Sequence, residues 1–131
     1  MFNFTFKTLL TPALSNQYKI IDLTYLLDIA GDNQSIIKEM ITIFVSQVPE
    51  FIEEMNSCYK KNDWYNLSMI AHKAKSSVAI MGMNSQANAL KDLELLTKDQ
   101  KDIDKYEGII NQFTADCKIA ISELESVKSK L

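Results

Sequence analysis

Arginine is absent from this chain of 131 residues, and all 14 of its positive side chains are lysines. That excludes an arginine finger or an arginine-based phosphate clamp, because only the guanidinium offers a planar bidentate fork. Histidine is nearly as scarce: His72 is the only one. The two cysteines, Cys58 and Cys117, are far apart and not in a CxxC spacing. One histidine and two scattered cysteines do not make a standard zinc site, so a metal or redox enzyme is a poor reading. The cysteines are expected to be reduced, buried small hydrophobes of a cytosolic protein. A basic surplus is also missing. The net charge is −3, which argues against a nucleic-acid binder. No apolar run approaches the ~20 residues needed to span a bilayer. Met1 to Leu10 contains one lysine and no long apolar core, so it does not read as a signal peptide. No glycine-rich phosphate loop of the P-loop kind occurs, and cleavage of ATP is not expected.

What is present is helical patterning. The hydrophobic fraction of 47% is ample for one core, and the length suits one domain. Residues 1–18, with Pro12 and the pair Ser15-Asn16, show no clean period and read as an extension with little regular structure, or one short helix. Residues 19–131 form the domain. Asp22 is placed to cap a short helix through about Ala30, with Gly31 as its stop and Asp32 as the cap of the next. That second helix carries Ile37, Ile41, Phe44, Val48, Ile52, Met55 and Tyr59 on one face. Pro49 lies inside this stripe, and a kink is favoured over a break because the register continues across it.

Lys60-Lys61-Asn62 reads as a turn, after which Asp63 caps a third helix with Leu67, Ala71, Ala74, Val78 and Met81 facing the core. Gly82 ends it. Asn84 or Ser85 caps a fourth helix carrying Ala87, Leu90, Leu93 and Leu96. Asp104 with Glu107 resembles a capping box. The last helix then runs to about Lys128 on a stripe of Tyr106, Ile110, Phe113, Cys117, Ala120, Leu124 and Val127. No strand pair appears from residue 20 onward. The sum is all-α: an antiparallel up-down-up-down four-helix bundle with a short additional N-terminal helix.

His72 lies about 100° around the third helix from the core residue Ala71. It is therefore expected on the flank or outer face with Tyr65, Ser68, Lys75, Ser76 and Ala79. The neighbours Ser68, Ser76 and Ala79 are small, which would let another protein approach the imidazole. Met69 and Met83 could add a soft apolar rim for a transient contact. Imidazole is partly neutral and nucleophilic at cellular pH. Lys75, three residues on, shares its face and can meet the charge of a phosphoryl oxygen. On pattern alone, a lone surface histidine is more often simply a solvated polar residue.

The run Ala71-His72-Lys73-Ala74-Lys75-Ser76-Ser77, followed by Met81-Gly82-Met83, resembles the signature of the histidine phosphotransfer (HPt) domain family. Ala71, His72, Lys75, Ser77 and Gly82 match in register, Asp63-Trp64 falls where the family's histidine-bearing helix begins, and the bundle matches the family's fold. The resemblance covers roughly residues 19–131. Ala74 stands in place of the usual leucine and Ser76 in place of the usual glycine. Serine is small enough to keep most of the opening beside the histidine, and its hydroxyl could donate to a phosphoryl oxygen.

The resemblance implies that His72 Nε2 accepts a phosphoryl group from a receiver-domain phospho-aspartate and passes it to an aspartate of another receiver. Lys75 then stabilises phosphoryl charge. Glu94, where the family often has a glutamine or another polar group, is placed to accept from the imidazole Nδ1–H. The implied docking residues are Ser68, Met69, Ser76, Ala79 and Met83. The implied partners are response-regulator receiver domains or a hybrid sensor histidine kinase. The chain needs no cofactor of its own, since Mg²⁺ would sit on the receiver. A monomeric, cytoplasmic, bacterial carrier without kinase activity is expected. The competing reading is a helical adaptor that binds a receiver or another signalling protein without carrying phosphate. A dimeric histidine-kinase core fits less well, because Lys73 and Ser76-Ser77 replace its acidic residue and its proline-containing run.

Overall fold

The structure, a computed structural model, describes residues 18–131. The expected irregular extension over residues 1–18 therefore lies, but for Tyr18, outside the described residues. Five α-helices follow: α1 (Thr24–Ala30), α2 (Gln34–Lys60), α3 (Trp64–Ile80), α4 (Asn84–Asp99) and α5 (Tyr106–Ser129). There is no strand among the described residues. Helices α2 to α5 pack as an antiparallel four-helix bundle: α3 lies against α2 and α4, and α5 closes the ring between α4 and α2. The closest packing is between α3 and α4. The small core residues Ala71 and Ala74, both fully buried, allow it.

The apolar stripes decide which faces meet. All seven stripe residues of α5 are buried, from Tyr106 to Val127. Pro49 sits inside α2 without ending it, and the buried face runs Ile37, Ile41, Phe44, Val48, Phe51, Met55. Phe51 thus takes the inward place expected for Ile52, which packs at the core's edge with Tyr59. Steps of four, three and four from Phe44 keep one face, and position 52 lies a further ~100° round. In α4 the buried residues are Leu90, Leu93, Glu94 and Thr97. Ala87 and Leu96 are only partly buried. Cys117 is buried and Cys58 only partly so, and both are free. Burial pushes the Cys117 thiol up to about 12, which makes it inert as a nucleophile.

Helix starts depart most from expectation. Asp63 does cap α3, accepting from Asn66 N–H at 3.2 Å. The cap of α2 is Asn33, accepting from Ile36 N–H at 3.1 Å, and not Asp32. The geometric cap of α1 is Leu23, while Asp22 accepts from the Thr24 N–H at 3.0 Å and its hydroxyl at 2.7 Å. Helix α4 starts after Met83 with no side-chain cap, so neither Asn84 nor Ser85 fills that role. The Asp104–Glu107 capping box does not form. A 3₁₀ turn over Ile103–Lys105 leads into α5, and its amides bond within the turn.

The segment before α1 is held at two places. The Glu123 carboxylate of α5 accepts from the N–H groups of Lys19, Ile20 and Ile21 at 2.6, 3.1 and 3.1 Å. The Asp22 N–H then donates to the Met81 carbonyl at 3.0 Å, placing Ile21 and Leu23 in the core.

Candidate functional site

The α3–α4 connection sets one edge of the site. The Gly82 N–H bonds to the Ala79 carbonyl and the Met83 N–H to the Val78 carbonyl, each at 3.1 Å. Gly82 has φ +70°. These two bonds and the left-handed glycine make a Schellman motif, whose next residue characteristically turns an apolar side chain back onto the helix. Met83 is accordingly fully buried. It forms no part of an exposed rim, contrary to expectation, and its position one after a helix-terminating glycine is the signal for that burial.

Ser68 is the second correction. It was expected on the outer face but is 2% exposed, because α4 packs over that side of α3. Its hydroxyl donates to the Glu94 carbonyl at 3.2 Å. One turn on, the His72 side chain is 60% exposed. Its Nδ1 lies 3.0 Å from Glu94 Oε2. Lys75 Nζ lies 3.1 Å from Glu94 Oε1. Lys98, four residues after Glu94 on α4, brings a second ammonium to 3.5 Å from Oε2. Sequence reading missed Lys98, although its i, i+4 spacing from Glu94 was a local signal.

The Glu94 side chain is only 9% exposed. Burial pushes its carboxyl up, but the hydrogen bond and charge of Lys75, followed by those of His72, outweigh that and leave it below its ordinary value. It is therefore ionised at neutral pH. An ionised carboxylate can only accept, so the ring donates through Nδ1–H, and in the neutral ring Nε2 carries the free lone pair. Lys75 is not free beside the ring, as the sequence had placed it. Its ammonium meets the imidazole through the shared carboxylate.

A depressed carboxylate pKa contributes stability that is present above the unfolded value and lost as pH falls through the folded one. Wild type should therefore be more stable than Glu94→Gln at pH 7, and the gap should close as pH drops below the ordinary glutamate range near ~4.3. Urea midpoints of both proteins between pH 7 and pH 3 check this. A gap that does not depend on pH would assign the difference to packing instead.

Met69, Ser76 and Ala79 are exposed on the His72 side of α3. Tyr65 is exposed there too. A shallow cavity of about 450 Å³ runs beside Met69, His72 and Lys73 toward α2. A second, of about 660 Å³, lies between Ser76 and Ala79 and the α1 residues Tyr25 and Asp28. No helix among the described residues is long and apolar enough to cross a membrane.

The arrangement is a four-helix bundle that presents one exposed imidazole with its Nδ1 held from within. A family model described as the Hpt domain matches residues 39–126. The chain belongs to the HPt domain family, whose members serve histidine phosphotransfer in phosphorelays and interact with receiver domains and kinases. Members of this family are phosphocarriers, not kinases. Neither the curated proteins nor the solved structures yield a match to this chain.

Proposed function

We propose that the protein is a phosphorelay intermediate, acting in the cytoplasm as a monomer, that carries a phosphoryl group on His72 between receiver-domain aspartates. The observation that carries this reading is the exposed His72 ring with Nδ1 bonded to the buried, ionised Glu94. In the forward step the Nε2 lone pair attacks phosphorus, the aspartyl P–O bond breaks, and the aspartate carboxylate leaves with the electron pair. The Nδ1 proton stays where it is, so the ring becomes cationic as the N–P bond forms. Glu94 faces that developing charge from 3.0 Å, which stabilises it and keeps the ring oriented. The return step reverses these bonds onto a second aspartate.

Phosphoryl transfer needs mainly in-line positioning and charge neutralisation. Lys75, 27% exposed and bound to Glu94, supplies the phosphoryl counter-charge, and Lys98 remains to neutralise Glu94 when Lys75 turns outward. Mg²⁺ belongs to the receiver's acidic pocket. Met69, Ser76 and Ala79 form the docking strip, with Tyr65 at its edge. The partners are response-regulator receiver domains or the receiver of a hybrid sensor kinase.

The test is transfer from a panel of phosphorylated receiver domains to wild type and to His72→Gln. An acid-labile, alkali-stable phosphoryl group on the wild type alone is expected. A receiver that binds both proteins equally and transfers to neither would replace this reading by a non-phosphorylated adaptor.

A further inference from the structure

We propose that Ser68 is a positioning residue that sets the tautomer of His72 through the main chain of Glu94; its consequence for phosphoryl transfer rests on the reading of His72 given above. Three side-chain hydrogen bonds cross from α3 to α4, from Ser68, His72 and Lys75, and all three end on Glu94. The donors stand on successive turns of α3. Ser68 takes the Glu94 carbonyl, while His72 and Lys75 take its carboxylate.

The serine bond is not forced by the carbonyl. Glu94 lies inside α4, where its C=O has the helical N–H of Lys98 as partner, and it also accepts from the Thr97 hydroxyl at 3.0 Å. Nor is it forced by the serine. A buried hydroxyl needs a partner, but one on a helix can back-bond to its own preceding turn. Thr42, Ser46, Thr97, Thr114 and Ser129 of this chain all do so. Ser68 instead reaches across to the next helix at the residue that holds the imidazole. The helical rise is ~1.5 Å per residue. A slide of α4 by that amount, across the Nδ1–carboxylate bond of 3.0 Å, would stretch it past the ordinary ~2.7–3.2 Å range and weaken it. Ser68 fixes that slide from a buried place one turn below the exposed ring.

Because His72 is the only histidine, its ring nitrogens can be followed by ¹⁵N NMR without ambiguity. In wild type the Nδ1–H form should dominate. In Ser68→Ala the ratio of Nδ1–H to Nε2–H should fall about threefold, of the order expected for weakening one ordinary hydrogen bond, while the melting curve stays close to wild type. Ser68→Cys, which keeps a weak donor in similar volume, should fall between the two and decides the matter if the alanine variant unfolds. Ser77→Ala is the control. It removes a hydroxyl from the same helix that bonds Gln47 of α2 at 3.3 Å and should leave the ratio unchanged. An unaltered ratio in folded Ser68 variants, or an equal change in Ser77→Ala, overturns the proposal. No phosphoryl transfer enters the measurement, so failure of His72 as phosphoacceptor would appear in the transfer assay and not here.

Discussion

Gly82→Ala is expected to cost the fold about 3 kcal/mol, the largest stability loss at any glycine of this chain. Two costs add. At φ +70° an L side chain is strained by roughly 1–2 kcal/mol. An added Cβ would also overlap the Asp22 carbonyl oxygen, which is backbone and cannot swing aside. Relief requires lifting the Ile21–Leu23 segment, which breaks the Asp22 N–H bond to Met81 and uncovers two core side chains. The other two glycines separate these costs. Gly31 has φ +62° with ψ −136°, a conformation that L side chains rarely adopt, but open space around its Cβ position, so its alanine variant should show backbone strain without a clash. Gly108 lies inside α5 with open space and no positive φ, so Gly108→Ala should stabilise by roughly 0.5–1 kcal/mol. Urea unfolding of the three variants gives the order. A Gly82→Ala loss no larger than the roughly 1–2 kcal/mol of left-handed strain alone would mean that the close approach of Asp22 contributes nothing.

That example marks the limit of what the sequence shows. Helix termination at Gly82 is a local event and was legible, as was the whole core stripe of α5, because a 3.6-residue period repeats what packing demands. The exposure of His72 followed from the same geometry, one step round from Ala71. The pairing with Glu94 came through resemblance and not through period. What stayed hidden depends on partners remote in sequence. Glu123 holds the amides of Lys19 to Ile21 across more than a hundred residues, and no local pattern announces it. Ser68 was assigned to the flank or outer face because it stands one turn before His72 on the same side of the helix, whereas the tight α3–α4 approach encloses it. The caps failed for a different reason. Asp32 and Asn33 are both competent, and one residue of phase decides between them. Aspartate at 104 and glutamate at 107 had the spacing of a box, but residue 104 lies in a 3₁₀ turn and the geometric cap of α5 falls one residue on, at Lys105.

Ser76→Trp should lower transfer from a cognate receiver about 100-fold, the scale reached when a reacting group is displaced by about an ångström, without moving the melting temperature. Ser76 is exposed, so the new side chain enters no packed space and the bundle has nothing to lose. Its effect comes from direction. A helical side chain leans toward the helix N-terminus and covers the turn before its own Cα, and the turn before position 76 carries His72. The indole would therefore lie over the imidazole and close the strip between Met69 and Ala79. The same substitution discriminates between blocking a partner and damaging the ring. A small donor such as phosphoramidate needs only access to Nε2, so its reaction with the variant should fall far less than the reaction with a receiver. Equal losses with both donors would mean that the indole disturbs the His72–Glu94 pair itself. Normal transfer from the receiver would place the docking strip elsewhere on the bundle. Ser76→Gly restores the residue usual in the family at this position and should transfer at least as well as wild type, because serine and glycine both leave the turn over His72 uncovered.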